Sequence, residues 1–240
     1  MIGQQDVISK LKTTRAKSVL LLGPAHYGKK TLLRELFRND ESVYEITGNA
    51  AAFRDSLERI YQTVRPTVYL IPDLHKANAT IQNVLLKVLE EPPKAARFFL
   101  TASGTILPTI TSRCVTYHIN PYSGVELNQL EAPLFLKGKY RSPGELKLLN
   151  FEGCDKLFQM LEAIKVKMTG ATLANILKDV KEFNKCFKEL LATQEIFILM
   201  VRNVFGECKS YDWLRSQPDD AVQYVRCYFF IRLWLELSGG

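Results

Sequence analysis

Patterned cysteine is what this chain most clearly lacks. Its five cysteines, Cys114, Cys154, Cys186, Cys208 and Cys227, are scattered, odd in number and never spaced as C-x-x-C. That excludes a zinc ribbon and a disulfide framework and leaves reduced thiols, as expected in a cytoplasmic compartment. A bilayer-spanning run is missing too. The most apolar segment, Val222 to Leu237, is short and is broken by Arg226 and Arg232, so no membrane partner is expected. Met1-Ile2-Gly3-Gln4-Gln5-Asp6 turns polar within a few residues, and no N-terminal signal is expected there. No internal repeat or low-complexity tract is visible. Acidic residues fall short of basic ones, 25 against 32, a net charge of +7. That excess fits contact with a polyanion such as DNA, and fits equally a lysine-rich soluble protein.

What is present is a hydrophobic share of 47% over 240 residues, enough for one large domain or two to three small ones. One stretch organises the rest. The apolar run Ser18-Val19-Leu20-Leu21-Leu22 leads into Gly23-Pro24-Ala25-His26-Tyr27-Gly28-Lys29-Lys30-Thr31, and an apolar helix pattern follows. Strand, glycine loop and helix in that order form the context of the phosphate-binding motif G-x-x-x-x-G-K-[ST]. Glycines let backbone N–H groups turn toward an anion, and the helix N-terminus adds partial positive charge. Gly23, Gly28 and Lys29 fit. The next place, where a hydroxyl should bind Mg²⁺, carries Lys30. Thr31 offers a hydroxyl one place late.

Further strands are expected at Val43–Ile46, Thr67–Ile71, Arg97–Thr101 and Cys114–Ile119. Helices are expected at 4–13, 30–38, 49–62 and 79–91, the last stopped by Pro92-Pro93. Strands alternating with helices predict an α/β domain with a parallel sheet. Ligands of such sheets sit beyond the carboxyl ends of the strands, where the glycine loop, Asp73 and Thr101–Ser103 all fall. From Pro121 on only helices are expected, at 123–131, 143–150, 154–167, 171–191, 193–207 and 218–237, with breaks at Gly170 and Pro218. Tyr224 to Ile231 is apolar nearly all round and reads as a buried helix, slightly more as a partner contact than as an internal core.

Asn83-Val84-Leu85-Leu86-Lys87-Val88-Leu89-Glu90-Glu91-Pro92-Pro93, then Leu107-Pro108-Thr109-Ile110-Thr111-Ser112-Arg113-Cys114, closely resemble two boxes of the clamp-loader branch of AAA+ ATPases. Ile2-Gly3-Gln4-Gln5 is similar to the family's N-terminal element. The likeness covers residues 1–120 well and 121–150 only through Ser142-Pro143-Gly144. It implies a AAA+ domain over 1–120, a helical lid over 121–168 and a helical collar over 169–240. It also implies an assembly with other clamp-loader subunits, acting on a sliding clamp and primed DNA in DNA replication. Arg113, from the S-R-C box, takes the place of an arginine finger reaching a neighbour's nucleotide. Cofactor contacts fall to Gly23, Gly28, Lys29, Lys30, Thr31, Asp73 and Ser103, with ATP or ADP as ligand and Mg²⁺ only if nucleotide binds. Bacterial members usually carry a four-cysteine zinc module here. Residues 32–66 hold no cysteine, so no zinc is expected. The second arginine that the family's lid usually supplies has only Arg141 and Lys147 as candidates.

The family's acidic motif ends the third strand as D-E. This chain has Asp73-Leu74, and leucine accepts no proton. His75 is left either as a stand-in base or as a structural residue. With Lys30 in the metal place, efficient hydrolysis by this chain alone is not expected, since losing a general base costs about 10²–10⁴ in rate. The combination is most similar to delta-prime-type members, which act as a stator and lend an arginine. Two alternatives stay open: an active ATPase using Thr31, and a DNA-binding adaptor in which Lys76, Asn78, Gln82, Asn83 and Lys87 track a phosphate backbone.

Overall fold

The computed structural model describes residues 3–40, 42–47, 50–62, 64–189, 193–206, 208–215, 217 and 222–237. Ile2 and Pro218, and residues 190–191, 207 and 218–221 at the ends of expected helices, lie outside them. The chain forms two compact units. One comprises Met1–Gln129 with Ser142–Gly144, the other Leu130–Arg141 with Glu145–Gly240. The first therefore runs past the composition change at residue 121.

The first unit carries α1 (Gln5–Thr13), β1 (Ser18–Leu22), α2 (Lys29–Leu36), β2 (Val43–Glu45), α3 (Ala50–Tyr61), β3 (Thr67–Ile71), α4 (Ala79–Glu90), β4 (Ala96–Ala102), α5 (Pro108–Thr111), β5 (Val115–His118) and α6 (Gly124–Asn128). The strands pair in parallel in the order β2-β3-β4-β1-β5. The apolar runs without alternation are explained by burial on both faces. Val19 and Leu21 pack with Val7, Leu11, Leu32 and Leu33 on one side. Leu20 joins Phe53, Ile60, Leu85 and Val88 on the other. β1 is paired on both sides, by β4 and β5, so the loop that follows it leaves from a rigid base.

The second unit is helical: α7 (Pro143–Leu149, of which Pro143 and Gly144 belong to the first unit), α8 (Cys154–Met168), α9 (Leu173–Glu189), α10 (Gln194–Phe205), α11 (Lys209–Arg215) and α12 (Val222–Leu237). Its core is a ring cluster. Phe197 lies 5.7 Å from Phe187, 6.0 Å from Phe183, 5.9 Å from Phe229 and 6.0 Å from Phe230, centroid to centroid. The buried Arg226 guanidinium stacks 4.1 Å over Phe187. These aromatics pack on one another, with α12 meeting α9 within its own unit, which is the internal-core alternative for these rings. Tyr228, Leu235 and Leu237 remain exposed. Glu145 on α7 is buried and forms a 2.8 Å ion pair with buried Arg202 on α10, while also accepting the Arg141 backbone N–H.

No helix among the described residues is long and apolar enough to cross a membrane. All five cysteines are thiols. Among the described residues no group of three or more His, Cys, Asp or Glu side chains is placed to hold a metal ion.

Candidate functional site

β1 delivers the glycine loop at the carboxyl end of the sheet. Gly28 is left-handed at φ 76° and caps α2, and His26 is left-handed at φ 63°. Glycine takes such a φ without strain, whereas a residue with a Cβ rarely does. Lys29, the first residue of α2, is buried. Its ammonium donates to the carbonyls of Gly23 at 2.8 Å and Pro24 at 2.5 Å. An ammonium has three donors, so one is left for an anion. The Ser142 hydroxyl donates to the His26 carbonyl at 2.9 Å, and the Tyr122 hydroxyl donates to the Tyr27 carbonyl at 3.4 Å. The loop's carbonyls are thus held by side chains. The first-turn N–H groups of α2, which have no intrahelical acceptor, are the edge it can offer to phosphate.

The Ser142-Pro143-Gly144 element is part of this loop's support, which its weak likeness to the family's lid did not reveal. A Cβ placed on Gly144 would lie 2.2 Å from the His26 carbonyl oxygen. Gly144→Ala is expected to push the loop away or lose the Ser142 bond, costing about 1–3 kcal/mol by forced displacement of packed backbone. Thermal denaturation of the full chain measures it.

Burial lowers the Lys29 pKa from its ordinary 10.5 to about 8, with the Asp73 charge opposing. The unfolded chain therefore binds more protons between those values, and stability contributed at this residue rises as pH rises through that window. Urea unfolding of the wild type against Lys29→Met, repeated from pH 8 to pH 10, is expected to show the wild type gaining relative stability. A flat difference contradicts the buried charge.

Asp73 ends the turn after β3 in a left-handed conformation, φ 51°. Its backbone N–H donates to the Thr101 hydroxyl at 3.0 Å. Its carboxylate accepts from the Lys30 ammonium at 3.0 Å, with Lys76 at 3.7 Å. Burial would raise the Asp73 carboxyl, but the Lys30 hydrogen bond and the charges of Lys30, Lys76 and His75 outweigh it and hold the pKa below the ordinary value. Leu74 is 1% exposed and belongs to the apolar core. Mg²⁺ requires hard oxygen ligands in near-octahedral array. The place for one such oxygen holds an ammonium, and that ammonium already occupies Asp73. The residues present do not fit magnesium, whereas Gly23, Gly28 and Lys29 fit a polyphosphate. Thr31 is exposed on α2, about 100° of helix rotation past Lys30.

His75 accepts the Ser103 backbone N–H at Nδ1, 3.1 Å away. In a neutral imidazole the other nitrogen then carries the proton, and the ring has no lone pair left for a water proton. Burial lowers its pKa, aided by Lys76, Lys29 and Lys30 and opposed by Asp73. Ser103 enters the site through this backbone bond. Gln82, read as a DNA-facing candidate, is buried. It accepts from Leu107 N–H and donates to the Ala77 carbonyl, tying α4 to the loop before α5. Asn78 caps α4 through Ile81 N–H. Lys76, Asn83 and Lys87 are exposed.

Arg113 stands apart. It precedes β5, whose Val115 pairs with Val19, while Gly23 follows the far end of β1. Six residues of strand separate the two levels, about 20 Å. Its guanidinium donates to the Thr109 carbonyl and the Glu90 carboxylate, both at 3.0 Å, and its buried Nε has no acceptor. Glu90 is well exposed, and such pairs contribute about 0–1 kcal/mol. Rotating Arg113 outward therefore costs little.

The chain matches known proteins along this unit. A family model described as DNA polymerase III, delta subunit, matches residues 47–123. A DNA polymerase III subunit gamma of Buchnera aphidicola subsp. Schizaphis graminum is 36% identical over 90 residues, 35% of this chain and 25% of that relative. The DNA polymerase III subunit tau of Escherichia coli K12 is 39% identical over 85 residues, 34% of this chain and 13% of that one. The matched stretch spans less than half the length of the curated relatives. A DNA polymerase III gamma subunit-related protein of Thermotoga maritima shares the fold, with a TM-score of 0.56, 15% identity, and coverage of 97% of this chain and 99% of that structure. The glycine loop on a parallel five-stranded sheet and the two sequence boxes agree with these relatives: over residues 47–123 the chain is similar to clamp-loader-type subunits of DNA polymerase III, and its fold is shared with a gamma subunit-related protein.

Proposed function

We propose that this chain is a delta-prime-type stator of a bacterial clamp loader, which lends Arg113 to a neighbouring ATPase subunit and does not hydrolyse ATP at its own loop. The observation that carries the reading is the Lys30–Asp73 ion pair, which puts an ammonium where a hydrolysing site needs a metal ion. Buried Leu74 in the base position and the occupied Nδ1 of His75 support it. Arg113 lies about 20 Å along the sheet from its own loop, so any phosphate it meets belongs to another molecule. In this reading residues 121–168 act as lid and 169–240 as collar. The partners are the other loader subunits, the sliding clamp and primed DNA, in the cytoplasm. Phosphate release by the isolated chain, with Mg²⁺ and primed DNA, tests the first half. The expected rate is that of a protein-free blank. Turnover that disappears in Lys29→Met would overturn the reading in favour of an active ATPase.

A further inference from the structure

We infer that the Lys30 ammonium is the resident cation of this loop, replacing the divalent metal beside Asp73, so that the loop binds a polyphosphate without magnesium. The inference rests on the stator reading in one respect: a site that need not activate water has no further use for a metal.

The charge balance at the loop carries it. Lys29 spans the loop mouth on the Gly23 and Pro24 carbonyls. Lys30 and Lys76 both flank the Asp73 carboxylate. Three ammoniums against one carboxylate leave a surplus of two positive charges. One lysine, one divalent ion and one aspartate leave the same surplus. The potential offered to a polyphosphate is therefore kept, while its source moves from a metal to two side chains. The geometry keeps it accessible as well. The Lys30 side chain is 45% exposed, and a cleft of about 260 Å³ lies on its far side from the glycine loop, lined by Lys30, Asp73, Lys76 and Glu45, the last paired with Arg34. Only one of its three donors is spent on Asp73, so it can hold the aspartate and a phosphate oxygen together, as a bridging metal would. A divalent ion, in contrast, would have to displace an ammonium from its carboxylate and then find no oxygen at position 30.

The experiment is calorimetric titration of the full chain with ATP and, separately, with inorganic triphosphate, each in excess EDTA and in excess MgCl₂. The wild type is expected to bind in EDTA, with an affinity that magnesium does not improve. Binding of both ligands assigns the site to polyphosphate in general, and binding of ATP alone assigns it to the nucleotide; either supports the inference. Lys30→Ser is expected to weaken binding in EDTA about tenfold or more, the loss of a charge-assisted hydrogen bond, and to gain a magnesium dependence that the wild type lacks. Asp73→Asn is the second variant. It keeps the cation and removes its competing partner, and is expected to tighten binding in EDTA. Three results would overturn the inference: no wild-type binding in EDTA, wild-type affinity raised about tenfold or more by magnesium, or a Lys30→Ser affinity equal to the wild type's. The first and third leave the stator reading untouched; an affinity raised by magnesium also weakens its main support, and phosphate release and Arg113→Ala then decide that reading separately.

Discussion

If the chain lends Arg113 as proposed, Arg113→Ala is expected to remove the stimulation of ATP hydrolysis measured when the wild-type chain is added to clamp-loader ATPase subunits. The expected loss is about 10³-fold or more at the site it faces, the range for an arginine finger supplied in trans. The reason is electrostatic. A guanidinium brought to a transferring phosphoryl group offsets charge that builds only in the transition state, inside a cleft from which water is excluded. Arg113→Lys is expected to recover little of it, since an ammonium lacks the planar fork that contacts two oxygens at once. The cost to folding is expected to be small, about 1 kcal/mol, since the Glu90 partner is well exposed and one bond to the Thr109 carbonyl is lost. Glu90→Gln, which frees the arginine from its own-chain partner, is expected to leave stimulation intact. A steady-state phosphate-release assay on the reconstituted loader with clamp and primed DNA reads all three.

The largest expected effect on stability lies in the helical unit. Arg202→Ala removes one half of the buried ion pair between α7 and α10 and takes from the buried Glu145 carboxylate its Arg202 partner. Breaking such a pair costs about 3–5 kcal/mol, a large part of the roughly 5–15 kcal/mol that holds a domain. Replacing both partners together, Glu145→Leu with Arg202→Met, is expected to cost less than Arg202→Ala alone, because the buried carboxylate goes with its arginine. Urea unfolding followed by circular dichroism distinguishes the two. Equal losses in the single and double variants would mean that packing, not charge, holds these helices together.

The parallel sheet was readable in the sequence because burial on both faces leaves an unmistakable trace. Thr67–Ile71 is apolar without alternation and is bounded by Pro66 and Pro72, and β3 has those same limits. The helices after residue 121 were readable as periodic stretches, but α11 was not expected. Lys209–Arg215 is only seven residues long, and its Trp213 packs on Tyr228 of the neighbouring α12. At the site, Lys30 and Asp73 could each be singled out by position in a motif. Their direct pairing, 43 residues apart, could not. The same holds for His75 with the Ser103 N–H, for Ser142 with the His26 carbonyl, and for Glu145 with Arg202. Local patterns record which face of an element is buried, whereas a polar pair across the fold leaves no period to read. Gln82 is the reverse case. A polar residue on a helix suggested a solvated or DNA-tracking face, yet its amide serves two backbone groups inside the core.

The central claim is that this chain's chemistry is done at a neighbour's nucleotide and not at its own. Exchanging two variants in one reconstituted loader tests it most directly, by measuring clamp- and DNA-stimulated ATP hydrolysis with Lys29→Met and with Arg113→Ala in place of the wild-type chain. Lys29→Met is expected to keep hydrolysis within about twofold of the wild type, while Arg113→Ala loses the stimulated rate. The opposite pattern, with hydrolysis lost on Lys29→Met and kept on Arg113→Ala, would contradict it.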